Sequence, residues 1–329
     1  LTTDQEVTGL NPVGVTKEIG ISGLFCIILP LLYPFPLLPW QNKCFQIMDK
    51  ITSRLEIFDI ESSKHKIIRE FQFLIEAPNW SPDGKWIIFN CDGRLYRTDC
   101  DGAQEPVLIE SGIARNCNND HIISTDGTQI AVSHHGADGN SRIYTFPFDG
   151  GAAKEITPIG PSYLHGWSPD MQQMAYCAFR GDAHVVHTID LASGKEKALT
   201  PAEYGLSDGP EYSPDGKHIW FNWVKTGLMQ VWRMKTDGSE QQQMTFDEDR
   251  NSWFPHLSPD GREVVYIAYK KDDLKPDEHL PNKNVELRIM PADGGTPQTI
   301  LQLFGGQGTI NVNSWSPDSK KFAFISYRI

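Results

Sequence analysis

The sequence predicts an all-β protein, a β-propeller of six four-stranded antiparallel blades. Three observations predict it: six copies of Ser-Pro-Asp or a close variant, spacings of 43 to 45 residues between the first five copies, and an apolar run after each copy. The repeat serines are Ser81, Ser124, Ser168, Ser213, Ser258 and Ser316. Repeats of about 40 to 45 residues are typical of propeller blades, whereas helical solenoids repeat a helical pattern.

Each blade is predicted to be a meander of strands joined by tight turns. The Ser-Pro-Asp-Gly turn at residues 81–84 precedes the apolar run 86–90, and Asp-Gly at residues 92–93 separates that run from the next one, 94–98. Asp-Gly supplies the positive φ of a tight hairpin, while Pro and Asp preset the Ser-Pro-Asp-Gly turn. We therefore expect an inner strand before each turn, two strands after it, and a fourth strand on the outside.

The last repeat stops after its second strand, residues 321–326. The apolar runs 53–60 and 66–70 near the front of the chain are the predicted donors of its outer strands. Pairing N-terminal outer strands with C-terminal inner strands would close the ring and remove the exposed edges of an open stack. Residues 271–284 form a long insertion, which we expect to be a surface loop and a candidate lid over one face.

Residues 1–47 precede the predicted propeller, which we place at residues 48–329. They contain the apolar stretch 21–32, but four prolines at positions 30–39 interrupt the helix of about 20 apolar residues that a membrane span needs. We expect no membrane span. Two interpretations stay open: an artefact upstream of a natural start at Met48, which predicts a cytoplasmic protein, and a degenerate export signal, which predicts a periplasmic one.

The charge balance limits the class of partner. The chain has 30 Lys and Arg against 42 Asp and Glu, a formal net charge of -12. Nucleic acids and anionic membrane surfaces would be repelled at long range, so we expect neither as a partner. An acidic surface suits cations, neutral sugars or basic protein patches. A small polar ligand or saccharide is the expected partner, with a protein as the alternative.

The repeat resembles the Trp-Ser-Pro-Asp-Gly repeat of TolB-like, WD-like propellers. The full motif stands at residues 80–84, Trp-Ser-Pro-Asp recurs at residues 315–318, and the resemblance covers about residues 52–329. The chain looks most like a stand-alone six-bladed TolB-like protein of bacteria. The family includes the periplasmic TolB component of the Tol cell-envelope system, and similar propellers occur in prolyl peptidases and in metal-dependent oligogalacturonate lyases.

Polar residues cluster where the predicted inner strands begin, and these strands should surround a central channel. A strand that only packs needs alternating apolar residues, so this polarity indicates water, a ligand or a metal at one mouth of the channel. The candidate catalytic residues are His121, His165, His256 and Glu211. The candidate ligand-binding residues are Asn79, Asn119, Asp120, Asp208, Trp253 and Gln307.

Four of these positions form a candidate metal site: His121, His165, His256 and Gln307. The sequence establishes no cofactor, and a divalent cation (Mn²⁺, Ca²⁺ or Zn²⁺) is the candidate. Oligogalacturonate lyases use a histidine-rich centre with a glutamine on a propeller, so the resemblance implies a metal-assisted carbohydrate lyase as one function. The lyase is an alternative to the main prediction, a propeller that binds a small polar ligand, plausibly a saccharide, or a partner segment at the polar channel. A second alternative is an interaction scaffold with an idle channel.

Overall fold

The computed structural model describes residues 51–329. The predictions for residues 1–47, and the boundary at Met48, lie outside the described residues. Within them the chain folds into antiparallel sheets, and no helix has the length and apolar character needed to cross a membrane. Two short 3-10 helices occur in this part of the chain, at Ala202–Tyr204 and Gln307–Thr309.

Six antiparallel sheets form the six blades of the propeller, which confirms the predicted fold class. The closing blade starts with β1 (Thr52–Asp59) and β2 (Lys64–Phe71). Blade 1 contains β3 (Glu76–Trp80), β4 (Trp86–Cys91), β5 (Arg94–Asp99) and β6 (Val107–Leu108). Blade 2 contains β7 (Cys117–Ile123), β8 (Gln129–His135), β9 (Ser141–Pro147) and β10 (Lys154–Glu155).

The remaining blades repeat this order from the inner strand outwards. Blade 3 contains β11 (Ser162–Trp167), β12 (Gln173–Phe179), β13 (His184–Asp190) and β14 (Glu196–Ala198). Blade 4 contains β15 (Ser207–Tyr212), β16 (His218–Trp223), β17 (Gln230–Lys235) and β18 (Gln242–Gln243). Blade 5 contains β19 (Arg250–Leu257), β20 (Glu263–Lys270), β21 (Lys283–Pro291) and β22 (Gln298–Gly305). The last strand, β23 (Lys321–Arg328), belongs to the closing blade.

The closing blade joins the two ends of the described chain. β1 pairs along its whole length with β23, with Thr52 opposite Arg328, and β2 pairs with the other edge of β1. The segment before β23 takes the innermost position, where Trp315 forms a bridge with Phe322. The predicted closure by N-terminal outer strands and C-terminal inner strands is therefore confirmed.

The Ser-Pro-Asp turns share one hydrogen-bond pattern in all six blades. Ser81 Oγ donates to Asp83 Oδ1 at 2.6 Å, and the equivalent bond is 2.6 or 2.7 Å long in the other copies. Asp83 Oδ1 also accepts the backbone N–H of Lys85 at 3.1 Å. The hydrogen bond from Ser81 lowers the pKa of Asp83. These bonds fix the turn that leads from each inner strand to the second strand.

The core consists of apolar layers between neighbouring blades. One layer joins the closing blade to blade 1 through Leu55, Ile325 and Phe89. Another joins blades 4 and 5 and contains Trp220 and Tyr266. Burying a side chain of this size contributes roughly 1.5–3 kcal/mol to folding, so the layers hold the inner strands firmly around the channel.

The inner strands of blades 1 to 5 each contain a shift in register, as a β-bulge produces. In β15 the shift lies between Asp208 and Glu211, and in β19 it lies between Trp253 and His256. A bulge leaves an extra residue unpaired and redirects the side chains beside it. Each of these strands is thus divided into a first half, where polar residues concentrate, and a second half that leads into the Ser-Pro-Asp turn.

Candidate functional site

A cavity of about 360 Å³ lies where the inner strands of blades 2 to 5 begin. Its charged and titratable lining comes from these strands, from β13 and from the insertion between β20 and β21. The carboxylates and histidines that line the cavity are those of Asp120, His165, His184, Asp208, Asp277 and His279. Gln307, from the 3-10 helix that follows blade 5, also lines the space, which we call the polar cavity.

Two adjacent bulges position the residues of the cavity wall. Gly209 has φ 62° and Phe254 has φ 53°. The Asn222 Oδ1 atom accepts the backbone N–H of Phe254 at 3.0 Å and lies 2.6 Å from where a Cβ at Gly209 would be. A positive φ at a bulky residue costs of order 1–3 kcal/mol and persists only where the surroundings fix it. Asp208 and Phe254 are therefore held in place by local backbone geometry.

A buried ion pair forms the centre of the wall. His165 Nε2 lies 3.2 Å from Asp208 Oδ1 and 3.9 Å from Asp120 Oδ1. Burial alone would lower the pKa of His165, but the charges of Asp120 and Asp208 outweigh it and raise that pKa. Burial alone would raise the pKa of Asp208, but the charge and hydrogen bond of His165 hold it well below its usual range. Both groups therefore favour their charged forms.

Asp120 is fixed by two asparagines. Asn311 Nδ2 donates to Asp120 Oδ1 at 2.8 Å, from the segment that forms the inner edge of the closing blade. Asn118 donates from its amide to Asp120 Oδ2 and accepts the backbone N–H of Asp120 at 3.0 Å. These bonds satisfy both carboxylate oxygens, so Asp120 contributes fixed negative charge to the cavity.

The insertion between β20 and β21 brings a histidine onto the cavity. The His279 ring packs edge-on against Trp253, with centroids 4.4 Å apart, and against Phe254 at 5.3 Å. His279 Nε2 lies 3.9 Å from Asp208 Oδ2. Burial lowers the pKa of His279, and the charge of Asp208 only partly offsets that effect. The sequence predicted a candidate lid here but not a site residue at His279. The presence of a histidine within the insertion could have indicated it.

Glu211 and His256, both predicted as catalytic, form a buried strut between inner strands. His256 Nδ1 lies 2.7 Å from Glu211 Oε2, and His256 Nε2 lies 3.0 Å from the carbonyl oxygen of Ile310. Glu211 Oε1 accepts the backbone N–H of Leu257 at 3.0 Å and the amide of Asn313 at 2.7 Å. Both ring nitrogens of His256 are already hydrogen-bonded, so the Glu211–His256 pair links the inner strands of neighbouring blades.

Three other predicted residues are buried outside the polar cavity. His121 is fully buried beside the backbone of blade 1, and burial lowers its pKa to about 4. Asn119 donates to Glu76 Oε1 at 3.1 Å, and burial raises the pKa of Glu76. Asn79 Oδ1 accepts the backbone N–H of Ile123 at 3.0 Å, which ties blade 1 to blade 2.

The polar cavity thus brings together four of the predicted residues: Asp120, His165, Asp208 and Gln307. Trp253 is fully buried behind the cavity and supports His279 with its ring. The cavity also contains residues that were not among the predicted site residues: Asn118, Tyr163, His184, Phe254, Asp277 and His279.

Comparison with known proteins identifies the family. An uncharacterized protein of Agrobacterium fabrum is 44% identical over 275 residues, which cover 84% of this chain and 92% of that protein. The solved structure of a protein from Agrobacterium tumefaciens, provisionally named TolB, superposes with a TM-score of 0.81 at 42% identity and covers 85% of this chain and 99% of that one. A family model for the TolB β-propeller domain matches residues 164–277. The chain belongs to the TolB β-propeller family.

More distant relatives bear on the fold alone. The Tol-Pal system protein TolB of Francisella tularensis is 23% identical over 264 residues, and the match covers 78% of this TolB-family chain but 57% of that protein. An oligogalacturonate lyase from Vibrio parahaemolyticus superposes with a TM-score of 0.49 at 13% identity, over 77% of this chain and 74% of that one. A likeness of that size carries no argument about activity.

The four predicted metal donors of the TolB-family propeller do not share one cavity. His165 and Gln307 line the polar cavity, whereas His256 is bonded within its strut and His121 faces blade 1. Within residues 51–329 no cluster of three or more His, Cys, Asp or Glu side chains has the geometry to hold a metal ion. The predicted donor set therefore does not fit one metal centre, and we derive no chemical step through a cation.

The other end of the channel is more apolar, although Asn79, Glu211 and Asn313 also line it. Each blade contributes the residue before its Ser-Pro-Asp turn to a second cavity, of about 300 Å³. These residues are Trp80, Ile123, Trp167, Tyr212, Leu257 and Trp315. Prolines of the turns surround them, and we call this region the apolar mouth.

Proposed function

We propose that this TolB-family propeller binds a small polar ligand in the polar cavity. One observation carries the proposal: the ion pair of His165 and Asp208, 3.2 Å apart, lies on the wall of a cavity of about 360 Å³. Buried charges require polar partners, and water or a ligand in the cavity supplies them. A space of this size is within the range of small-molecule sites.

The chemistry of the lining suits a ligand that combines hydrogen-bonding groups with a compact carbon skeleton, such as a saccharide. Amides of Asn118 and Gln307 can both donate and accept, while Asp208 accepts. The partly exposed ring of Tyr163 provides apolar area of the kind that packs against sugar rings. A polar side chain on a partner segment would present similar groups.

Isothermal titration calorimetry of the full chain with neutral mono- and disaccharides tests this function. Gln307→Leu removes a polar group from the cavity wall, and we expect it to weaken binding by about fivefold to tenfold, the value of one hydrogen bond. Gln298→Leu is the matched control, because Gln298 is exposed on the outer strand β22. Equal affinities for both variants would place the ligand elsewhere on the protein.

A further inference from the structure

The polar cavity carries more negative than positive charge. Three carboxylates line it, those of Asp120, Asp208 and Asp277. No Lys or Arg is among the residues that line it in the described part of the chain. Histidine is therefore the source of positive charge in this lining, and the balance depends on how many histidines are protonated.

The histidines nearest the carboxylates do not neutralise this charge. His165 favours the protonated form, but it is shared between Asp120 and Asp208, at 3.9 and 3.2 Å. His279 is neutral near pH 7, because burial lowers its pKa below an ordinary value that is already under 7. One cation thus faces two buried carboxylates, and the exposed Asp277 adds a third negative charge at the rim.

One oxygen of Asp208 has room for a further donor. Oδ1 accepts the backbone N–H of Gly209 at 2.7 Å and faces His165 Nε2 at 3.2 Å. Oδ2 instead faces His279 Nε2 at 3.9 Å, which is too long for a hydrogen bond. The thiol of Cys177 also faces the Asp208 carboxylate: burial, followed by the charge and hydrogen bond of Asp208, raises the pKa of this thiol. A thiol is a weak donor, so the ionised Asp208 can still accept from a stronger donor in the cavity.

Two aromatic rings, those of Phe254 and Tyr163, also line the cavity. The ring of Phe254 stacks on His165 at 5.6 Å and meets the edge of His279 at 5.3 Å. These contacts bury Phe254, so the partly exposed side chains of Tyr163 and Leu206 supply the accessible apolar lining. An aromatic face attracts a cation and packs against carbon, so a group that is charged at one end and apolar at the other fits this corner.

We propose that the polar cavity selects ligands that carry a protonated amine, which donates to the Asp208 carboxylate while its carbon skeleton packs against Tyr163 and Leu206. The inference rests on the proposed function and specifies the charge of the ligand. A neutral ligand would leave the net negative charge of the lining uncompensated, and an anion would be repelled by it. The amine can belong to a free small molecule or to a lysine side chain of a partner segment.

Three hexoses of one scaffold and different charge test the selectivity: glucosamine, glucose and glucuronate, titrated calorimetrically into the full chain at pH 6.5 and low ionic strength. We expect glucosamine to bind at least about tenfold more tightly than glucose, because a hydrogen bond between two charged groups is stronger than one between neutral groups. Glucuronate should bind most weakly. Added salt should reduce the preference for glucosamine.

Asp208→Asn keeps the shape of the side chain and removes its charge. We expect the ratio of glucosamine to glucose affinity to fall about tenfold in this variant. Asp277→Asn should reduce the ratio by about twofold, since this carboxylate is exposed and screened. Asp272→Asn is the matched control: Asp272 is an exposed residue of the same insertion, does not line the cavity, and its substitution should leave the ratio unchanged.

A peptide pair distinguishes the two sources of the amine: N-acetyl-lysine amide and N-acetyl-norleucine amide. Tighter binding of the lysine compound, abolished in Asp208→Asn, would support the inference with a partner segment as the source. Binding of all three hexoses with equal affinity would overturn the inference and leave the proposed function standing. Failure of every hexose and peptide to bind at millimolar concentration would overturn the proposed function itself.

Discussion

The two ends of the central channel are built on the same inner strands, yet they differ in how much the blades repeat one another. At the apolar mouth every blade contributes an aromatic or aliphatic residue followed by a Ser-Pro-Asp turn or its variant. At the polar cavity the contributions differ from blade to blade: Asp120 from blade 2, His165 from blade 3, Asp208 from blade 4 and Phe254 from blade 5.

This difference separates the parts of the sequence that specify the fold from those that provide a site. The turn motif satisfies its own polar groups through the Ser–Asp bond and the backbone, so it works in any blade. The starts of the inner strands do not share such a motif, and bulges there redirect individual side chains. Departures from the repeat therefore indicate the candidate ligand site better than the repeat itself does.

The largest effect is expected at the strut between the two ends. Glu211→Ala leaves His256, Leu257 N–H and Asn313 without their partner, and we expect a loss of about 3–5 kcal/mol in the free energy of unfolding, measured with urea. Glu211→Gln retains an oxygen for the backbone N–H of Leu257 and should cost less. Unchanged stability in Glu211→Ala would show that the strut does not support the channel.

Substitutions at two glycines test whether the bulge in β15 fixes the position of Asp208. Gly209→Ala and Gly194→Ala both place a Cβ at positive φ, which costs about 1 kcal/mol each. Gly209→Ala also brings the Cβ within 2.6 Å of Asn222 Oδ1, and that contact should add about 1–3 kcal/mol, whereas Gly194 has open space around it. Thermal unfolding should show the larger loss for Gly209→Ala. Equal losses would mean that the bulge is free to relax.

A smaller and uniform effect is expected at the turns of the apolar mouth. Ser81→Ala, Ser168→Ala and Ser213→Ala each remove a hydroxyl that donates to an aspartate and accepts a backbone N–H, at a cost of about 1 kcal/mol. If the repeat makes these turns equivalent, the three losses in urea unfolding should agree closely. Widely different losses of stability in the three variants would show that the turns at the apolar mouth are not equivalent, and would contradict the contrast with the polar cavity.

The smallest effect is the pH dependence of the ion pair, measured as the difference in melting temperature between the protein and Asp208→Asn. The pKa of Asp208 lies below its ordinary 3.8, so its stabilisation is present above about pH 4 and is lost as pH falls. The pKa of His165, which Asp120, Asp208 and Glu211 face, lies above its ordinary 6.5, so its stabilisation is lost as pH rises through that raised value. The difference should be largest between about pH 4 and 6.5. A difference that does not vary with pH would show that the pair is not charged.

The sequence predicted the turns and the closing blade because both follow from local rules. Ser-Pro-Asp-Gly contains its own turn geometry, and a repeat that lacks outer strands needs strands from the other end of the chain. The site was harder to predict. Asp120 and His121 are neighbours in β7, and adjacent strand residues face opposite sides, so only Asp120 lines the cavity while His121 faces blade 1.

Two further residues show why the rest of the site could not be predicted. His279 reaches the cavity from an insertion, and no repeat spacing gives its position relative to the inner strands. His256 has the residue type of a ligand, but its environment is set by Glu211 on the next inner strand and by Ile310, both far away in the chain. The chemistry of a histidine depends on such partners, which only the folded chain brings together.

The pairing of β1 with β23 has a consequence for synthesis on the ribosome. Ser326, on β23, donates a hydrogen bond to Glu56, on β1, and 270 positions of sequence separate the two residues. The edge of β1 that β23 covers must therefore wait, unpaired, until nearly all of the described chain has been translated. During that interval the nascent polypeptide exposes a strand edge that can pair with other chains. The risk of aggregation is therefore highest before translation ends, when chaperones would be needed most.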